Sequence, residues 1–188
     1  MIADLSAAVA ESIAAPRRSV RRYLERGPHG IDVLFGLILG AYLVQQIAAL
    51  AVPGGRMPLQ GSLVAFHLAG VVVQLILCAV TAGIVLVAGR IFGGAADFAA
   101  CYSGMAWYGF VTAFLSPLVL VGWSAILHEQ GGFGSHLLLV VGSGLAIWVF
   151  AGFVAELHGF RSTAVVVAAT LGFVMMTTML LFSMLQAA

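Results

Sequence analysis

Five long apolar stretches, Ile31–Val52, Leu63–Ala88, Phe98–Trp123, His136–Ala155 and Thr163–Leu185, occupy most of this 188-residue chain. Each holds 20 to 26 residues, enough for a helix to cross ~30 Å of hydrocarbon, the longer ones with tilt. A water-facing globule is excluded. Of the residues 62% are hydrophobic and 8% charged, the mean hydropathy is +1.12, and only a bilayer solvates such a surface. The expected fold is all-α, a polytopic membrane protein of five transmembrane helices. Residues 31–188 read as one transmembrane domain, because loops of roughly seven to twelve residues cannot fold separately.

The charges orient the bundle. Arg17, Arg18, Arg21, Arg22 and Arg26 precede the first span, Arg90 lies in the second loop and Arg161 in the fourth, whereas Arg56 stands alone on the other side. The positive-inside rule therefore puts the N-terminus in the cytoplasm and the C-terminus outside. The net charge of +1 gives no reason to expect a nucleic-acid partner. Basic residues that are all arginine, with heavy use of alanine, glycine and valine, suggest a bacterial genome and hence a bacterial inner (plasma) membrane. The first span ends without a small-residue cleavage motif, so it reads as a retained helix and not a signal peptide.

Residues 1–30 form a basic head. Leu5, Val9, Ile13, Pro16, Val20 and Leu24 recur every three or four residues, with the arginines and Glu11 on the other face. That pattern predicts an amphipathic helix in the cytoplasmic headgroup region, with Arg17, Arg18, Arg21, Arg22 and Arg26 on anionic lipid at ~1 kcal/mol each. Pro16 should divide it in two. A disordered tail that only sets topology is the alternative.

Polar groups inside the spans need partners. His67, Gln74 and Thr81 are spaced by sevens and lie near one helix face. They either line an aqueous or ion path or make interhelical hydrogen bonds worth ~0.6–2 kcal/mol each. Small residues at Gly36 and Gly40, at Ala96, Ala100 and Gly104, and at Gly142 and Ala146 allow close helix packing, within one subunit or in a homo-oligomer. Pro117 removes a hydrogen bond from the Ala113 carbonyl and predicts a kink, with Ser116 placed to satisfy that carbonyl.

Charges also collect where the helices end on the basic side. Asp32 opens the first span, Arg90 closes the second, Asp97 opens the third, Glu156 and His158 close the fourth, and Arg161 opens the fifth. Asp32 and Asp97 at helix N-termini and Arg90 at a C-terminus complement the helix macrodipole, whereas Glu156 is an acid at a helix C-terminus. It requires a cationic partner, and Arg90 and Arg161 are the candidates. The functional alternative is proton or ion binding by Glu156 with His158.

Two of these segments carry a resemblance. Gly89-Arg90-Ile91-Phe92-Gly93-Gly94, followed by Phe98, resembles the bacterial branch of the Yip1 family in its second cytoplasmic loop. Glu156-Leu157-His158-Gly159-Phe160-Arg161-Ser162 is similar to that family's hairpin between the last two spans. The resemblance covers roughly residues 15–185, including Pro16 and Arg17. It implies a five-helix integral membrane protein with a cytoplasmic N-terminus and no enzymatic activity. Eukaryotic relatives act in ER–Golgi trafficking and bind Rab GTPases and each other. This chain lacks their long N-terminal domain and their Asp-Leu-Tyr-Gly-Pro motif, so Rab-type GTPase binding is not carried over.

Catalysis finds no support: HExxH, GxSxG, a P-loop and paired intramembrane aspartates are all missing from the sequence. No catalytic residue and no cofactor is expected. His67, His128 and His136 fall toward the outer side and are the only candidates for a shared metal, although scattered histidines are more often unrelated. Cys78 and Cys101 lie at different depths, which argues against a disulfide. The expected function is a non-enzymatic membrane-organising or scaffold protein engaging lipid or protein partners. The alternative is a small channel or transporter using the His67, Gln74 and Thr81 face and the Glu156 and His158 cluster.

Overall fold

The computed structural model describes residues 2–26, 30–50, 63–127 and 132–187. Arg56 with its Pro53–Pro58 loop, His128 and Gly131 lie outside the described residues. Within them the regular elements are helices: α1 (Ile2–Ala14), α2 (Pro16–Glu25), α3 (Ile31–Leu50), α4 (Leu63–Ile91), α5 (Phe98–Ala113), α6 (Ser116–Leu127), α7 (Phe133–Leu157) and α8 (Thr163–Ala187). Four of these, α3, α4, α7 and α8, are long and apolar enough to cross a bilayer, and the bent pair α5–α6 brings the number to as many as five. At 29 residues, α4 is about 43 Å long at 1.5 Å per residue and must tilt.

The break in the third span has the cause that Pro117 predicts. Helix α5 stops at Ala113, α6 starts at Ser116, and the axes differ by 56°. Ser116 Oγ donates to the Ala113 carbonyl at 2.6 Å, which satisfies the group that Pro117 cannot reach. The Phe114 amide closes a tight turn onto the Val111 carbonyl at 3.2 Å. The bend sends α5 against α3 and α4 and turns α6 along α7.

Glycine decides how closely these helices approach. A Cβ on Gly122 would stand 2.8 Å from the Ser135 carbonyl oxygen, and one on Gly142 would stand 2.9 Å from Val119 Cγ2. Side chains there would push α6 off α7. Gly40 faces Phe110 and Gly104 faces Leu157 in the same way, whereas Gly36 has nothing within 4 Å. Gly40, Gly104 and Gly142 thus serve packing within one chain.

Cys101, Met105 and Val111 of α5 and Val149 and Phe153 of α7 form the core, joined by Val20 of α2. Helix α8 packs on α7, and none of its most apolar window is buried. Phe173, Met176 and Met179 are exposed, which hydrocarbon tolerates because lipid tails are as apolar as they are.

Two chain reversals at one end of the bundle share a design. Helix α4 leads into Gly93 at φ +82° and α7 into Gly159 at φ +70°, a left-handed conformation that glycine adopts without strain. The Gly94 amide reaches the Gly89 carbonyl at 2.8 Å and Gly93 reaches Arg90 at 3.1 Å. Phe160 reaches Ala155 at 2.8 Å and Gly159 reaches Glu156 at 3.2 Å. Both are Schellman terminations, which satisfy the last carbonyls of a helix. The helix therefore runs past Ala88 to Ile91 before its stop.

Candidate functional site at the junction of head and bundle

The head is a pair of helices divided by Pro16, and it docks on the bundle instead of lying free. Pro16, Ser19, Val20 and Tyr23 are the buried face of α2, spaced as one side of a helix. That face meets α7 and α5. The Pro16 ring occupies the space beside Gly152, where any Cβ would stand 2.5 Å from Pro16 Cγ. Tyr23 stacks on Trp107 of α5 with centroids 5.3 Å apart.

Two indoles hold the docked head. Trp107 Nε1 donates to Ser19 Oγ at 3.2 Å. Ser19 Oγ is 2.5 Å from Ser12 Oγ, and Ser12 Oγ donates to the Ala8 carbonyl at 2.8 Å. Because the Ser12 proton is used on Ala8, the Ser19 hydroxyl donates to Ser12. Trp148 Nε1 donates to the Ile13 carbonyl at 3.1 Å, near the end of α1, where carbonyls lack intrahelical partners.

The partner of Glu156 comes from the head. Arg17 Nε donates to Glu156 Oε2 at 3.0 Å, and Arg21 Nε donates to Oε1 at 2.5 Å. Arg17 Nη1 also donates to the Arg161 carbonyl at 3.1 Å, which ties the α7–α8 turn into the same contact. Two guanidiniums offset an acid that opposes the α7 dipole, and the hydrogen bond from Arg21 raises the pKa of that guanidinium. This corrects the expectation that Arg90 or Arg161 supplies the cation. Arg90 Nη2 reaches the Ala96 carbonyl instead, at 3.4 Å, and Arg161 contributes a backbone oxygen. Of the five head arginines expected on lipid, three also meet carboxylates. Arg17 and Arg21 bond Glu156, and Arg22 pairs with Glu11 at 2.7 Å. Arg18 and Arg26 are exposed. The reason is geometric: positions 17 and 21 lie one turn apart on the edge of α2 that meets α7.

His158 makes a second contact with different partners. It is 3% exposed, and its ring fills the space over Gly89 and Gly94, so that a Cβ at either position would overlap it. Nε2 lies 3.1 Å from the Val85 carbonyl. A carbonyl only accepts, so Nε2 carries the proton. Nδ1 is buried without a hydrogen-bond partner, and the ring stacks on Phe160. Burial pushes the pKa of His158 down and Arg90 adds to this, against an upward pull from the Val85 bond. The imidazole is held neutral. Glu156 and His158, for which the sequence offers ion binding as the alternative to a structural role, face α2 and α4 respectively.

Tyr42 Oη and His67 Nδ1 are 2.9 Å apart between α3 and α4; Gln74 and Thr81 are half-buried. His136 Nδ1 bonds the Gly132 carbonyl at 3.1 Å within its own helix start. Among the described residues no group of three His, Cys, Asp or Glu side chains is arranged to hold a metal. Asp97 caps α5 by accepting from the Ala100 amide at 2.7 Å, Asp32 is exposed in the first turn of α3, and Ser162 Oγ accepts from the Val165 amide at 3.4 Å. Ser12, Ser19, Tyr23, Trp107, Trp148 and Gly152 did not stand out in the sequence. A signal existed, since Ser19 on the apolar face of α2 needs a polar partner that hydrocarbon cannot supply.

The two segments that meet at His158 are those that carry the family resemblance. Residues 10–184 match the Yip1 domain family. No curated protein and no solved structure matches the chain.

Proposed function

The chain belongs to the Yip1 domain family, and from that premise we propose that it is a non-enzymatic membrane-organising or scaffold protein that engages lipid or protein partners through its docked head. The head end faces the cytoplasm of a bacterial inner (plasma) membrane in this reading, with the C-terminus outside, because the basic residues concentrate at that end. One observation supports it above the others. Docking consumes Arg17 and Arg21 on Glu156 yet leaves Arg18 and Arg26 exposed, so the head presents cations outward from a fixed platform. Anionic headgroups or an acidic segment of a partner fit such a surface.

A channel or transporter receives less support. His67 is engaged by Tyr42, Glu156 by two arginines and His158 by Val85. The test is photo-crosslinking from positions 18 and 26 of the full chain in native membranes, beside ion-flux assays in proteoliposomes. We expect crosslinks to lipid or a recurrent partner and flux no greater than in empty liposomes. Flux that Glu156→Gln abolishes would overturn the reading in favour of transport. A C-terminal reporter active in the cytoplasm would reverse the orientation.

A further inference from the structure

An open cleft of about 860 Å³ lies at the head end of the bundle, within the ~300–1,000 Å³ of ordinary ligand sites. Leu24 of α2, Ile31 and Phe35 of α3, Leu75 of α4 and Phe98 of α5 line it, with Asp97 at its edge. The head is therefore one wall of the cleft. Most of the lining is carbon, and Asp97, Tyr102 and Ser103 add polar atoms to it. The surrounding medium is hydrocarbon, so an acyl chain enters without leaving its own solvent. Apolar burial then confers no selectivity, and the groups at the mouth decide which lipid is held.

Asp97 is a charged residue of the lining. Asp97 uses Oδ1 to accept the Ala100 amide, and it is exposed. Asp32, next to Ile31, is also exposed. The Asp97 carboxylate in the lining matches a headgroup that carries a primary ammonium. A phosphatidylglycerol headgroup lacks the cation, and a quaternary ammonium cannot donate a hydrogen bond to the carboxylate.

We propose that this cleft binds one phosphatidylethanolamine molecule, its acyl chains between Leu24, Phe35, Leu75 and Phe98 and its ammonium on Asp97. The proposal rests on the reading that the chain engages lipid at its head end, and it names a lipid and a place.

The experiment is native mass spectrometry of the full-length protein in detergent, titrated separately with palmitoyl-oleoyl phosphatidylethanolamine, phosphatidylglycerol and phosphatidylcholine. We expect one phosphatidylethanolamine per chain, retained at about tenfold lower concentration than the other two, as one charge-assisted hydrogen bond implies. Asp97→Asn keeps the helix cap, since asparagine caps as well as aspartate, and should remove the preference. Ala99→Trp fills the cleft and should reduce retention of all three lipids. Equal retention of the three by the wild type, or an undiminished preference in Asp97→Asn, overturns the proposal. So does a dimer that Ala99→Trp abolishes, because the occupant would then be a second copy. Crosslinking from positions 18 and 26 is independent of the cleft, so a failure here is distinguishable from a failure of the scaffold reading.

Discussion

Arg21 Nε lies 2.5 Å from Glu156 Oε1, which joins the head helix to the far end of α7 across 135 positions of sequence. Arg17 makes the same connection one turn earlier. Glu156 is 13% exposed at its side chain, so solvent screens this contact only in part.

Glu156→Gln should lower the stability of the purified protein by about 1–2 kcal/mol, a charge-assisted contact discounted for partial exposure. Arg17→Ala should be destabilising as well and less than additive with Glu156→Gln, since the two share one contact. Arg161→Ala should melt close to wild type, because Arg161 contributes its backbone carbonyl. Thermal melting in detergent checks all three, and a large loss in Arg161→Ala would show that its side chain acts.

The buried His158 makes stability depend on pH in a known direction. Its folded pKa is lowered from the ordinary 6.5, so between pH 7.5 and 5.5 the unfolded chain takes up a proton that the folded one resists. Stability is then full above about 6.5 and falls as pH drops below it. His158→Gln keeps a donor for the Val85 carbonyl and removes the titration. Melting curves across that range should slope for the wild type and flatten for this variant; parallel slopes would assign the effect to other groups.

Gly89 and Gly94 have no room for a methyl group beside the His158 ring. Gly89→Ala and Gly94→Ala should each destabilise by about 1–3 kcal/mol, the range for overpacking. Gly36→Ala is the control, with nothing within 4 Å of its Cβ, and should leave the melting temperature unchanged or slightly raised through better helix propensity.

Trp107→Phe deletes the donor to Ser19 and Trp148→Phe the donor to Ile13, each worth about 1 kcal/mol. With both absent, the head should separate from α5 and α7 more often. Limited proteolysis at the arginines of α2 reads this directly: cleavage should be faster in the double variant, and unchanged kinetics would show that apolar docking by Val20 and Tyr23 suffices.

The sequence by itself determined the features that depend on neighbours along the chain. A bilayer demands runs of about 20 apolar residues with internal backbone bonds, so α3, α4, α7 and α8 were legible from composition alone. Pro117 and Ser116 specified the bend of the third span, and Pro16 the division of the head, because the missing amide acts within one turn. The need of Glu156 for a cation followed from its place at a helix end.

Only the tertiary structure decided which cation answers that need. Seven arginines lie on the basic side of the sequence, and nothing local separates Arg17 and Arg21 from Arg18, Arg90 or Arg161. The docking of α2 between α7 and α5 makes the choice, as it does for Ser19 and Trp107. The same holds for His158, whose meaning lies in two glycines on α4. Faces that meet lipid and faces that meet another helix are alike in composition, because hydrocarbon and side chains solvate an apolar residue equally well. Hydropathy therefore marks what enters the membrane, and close packing in three dimensions settles what touches what.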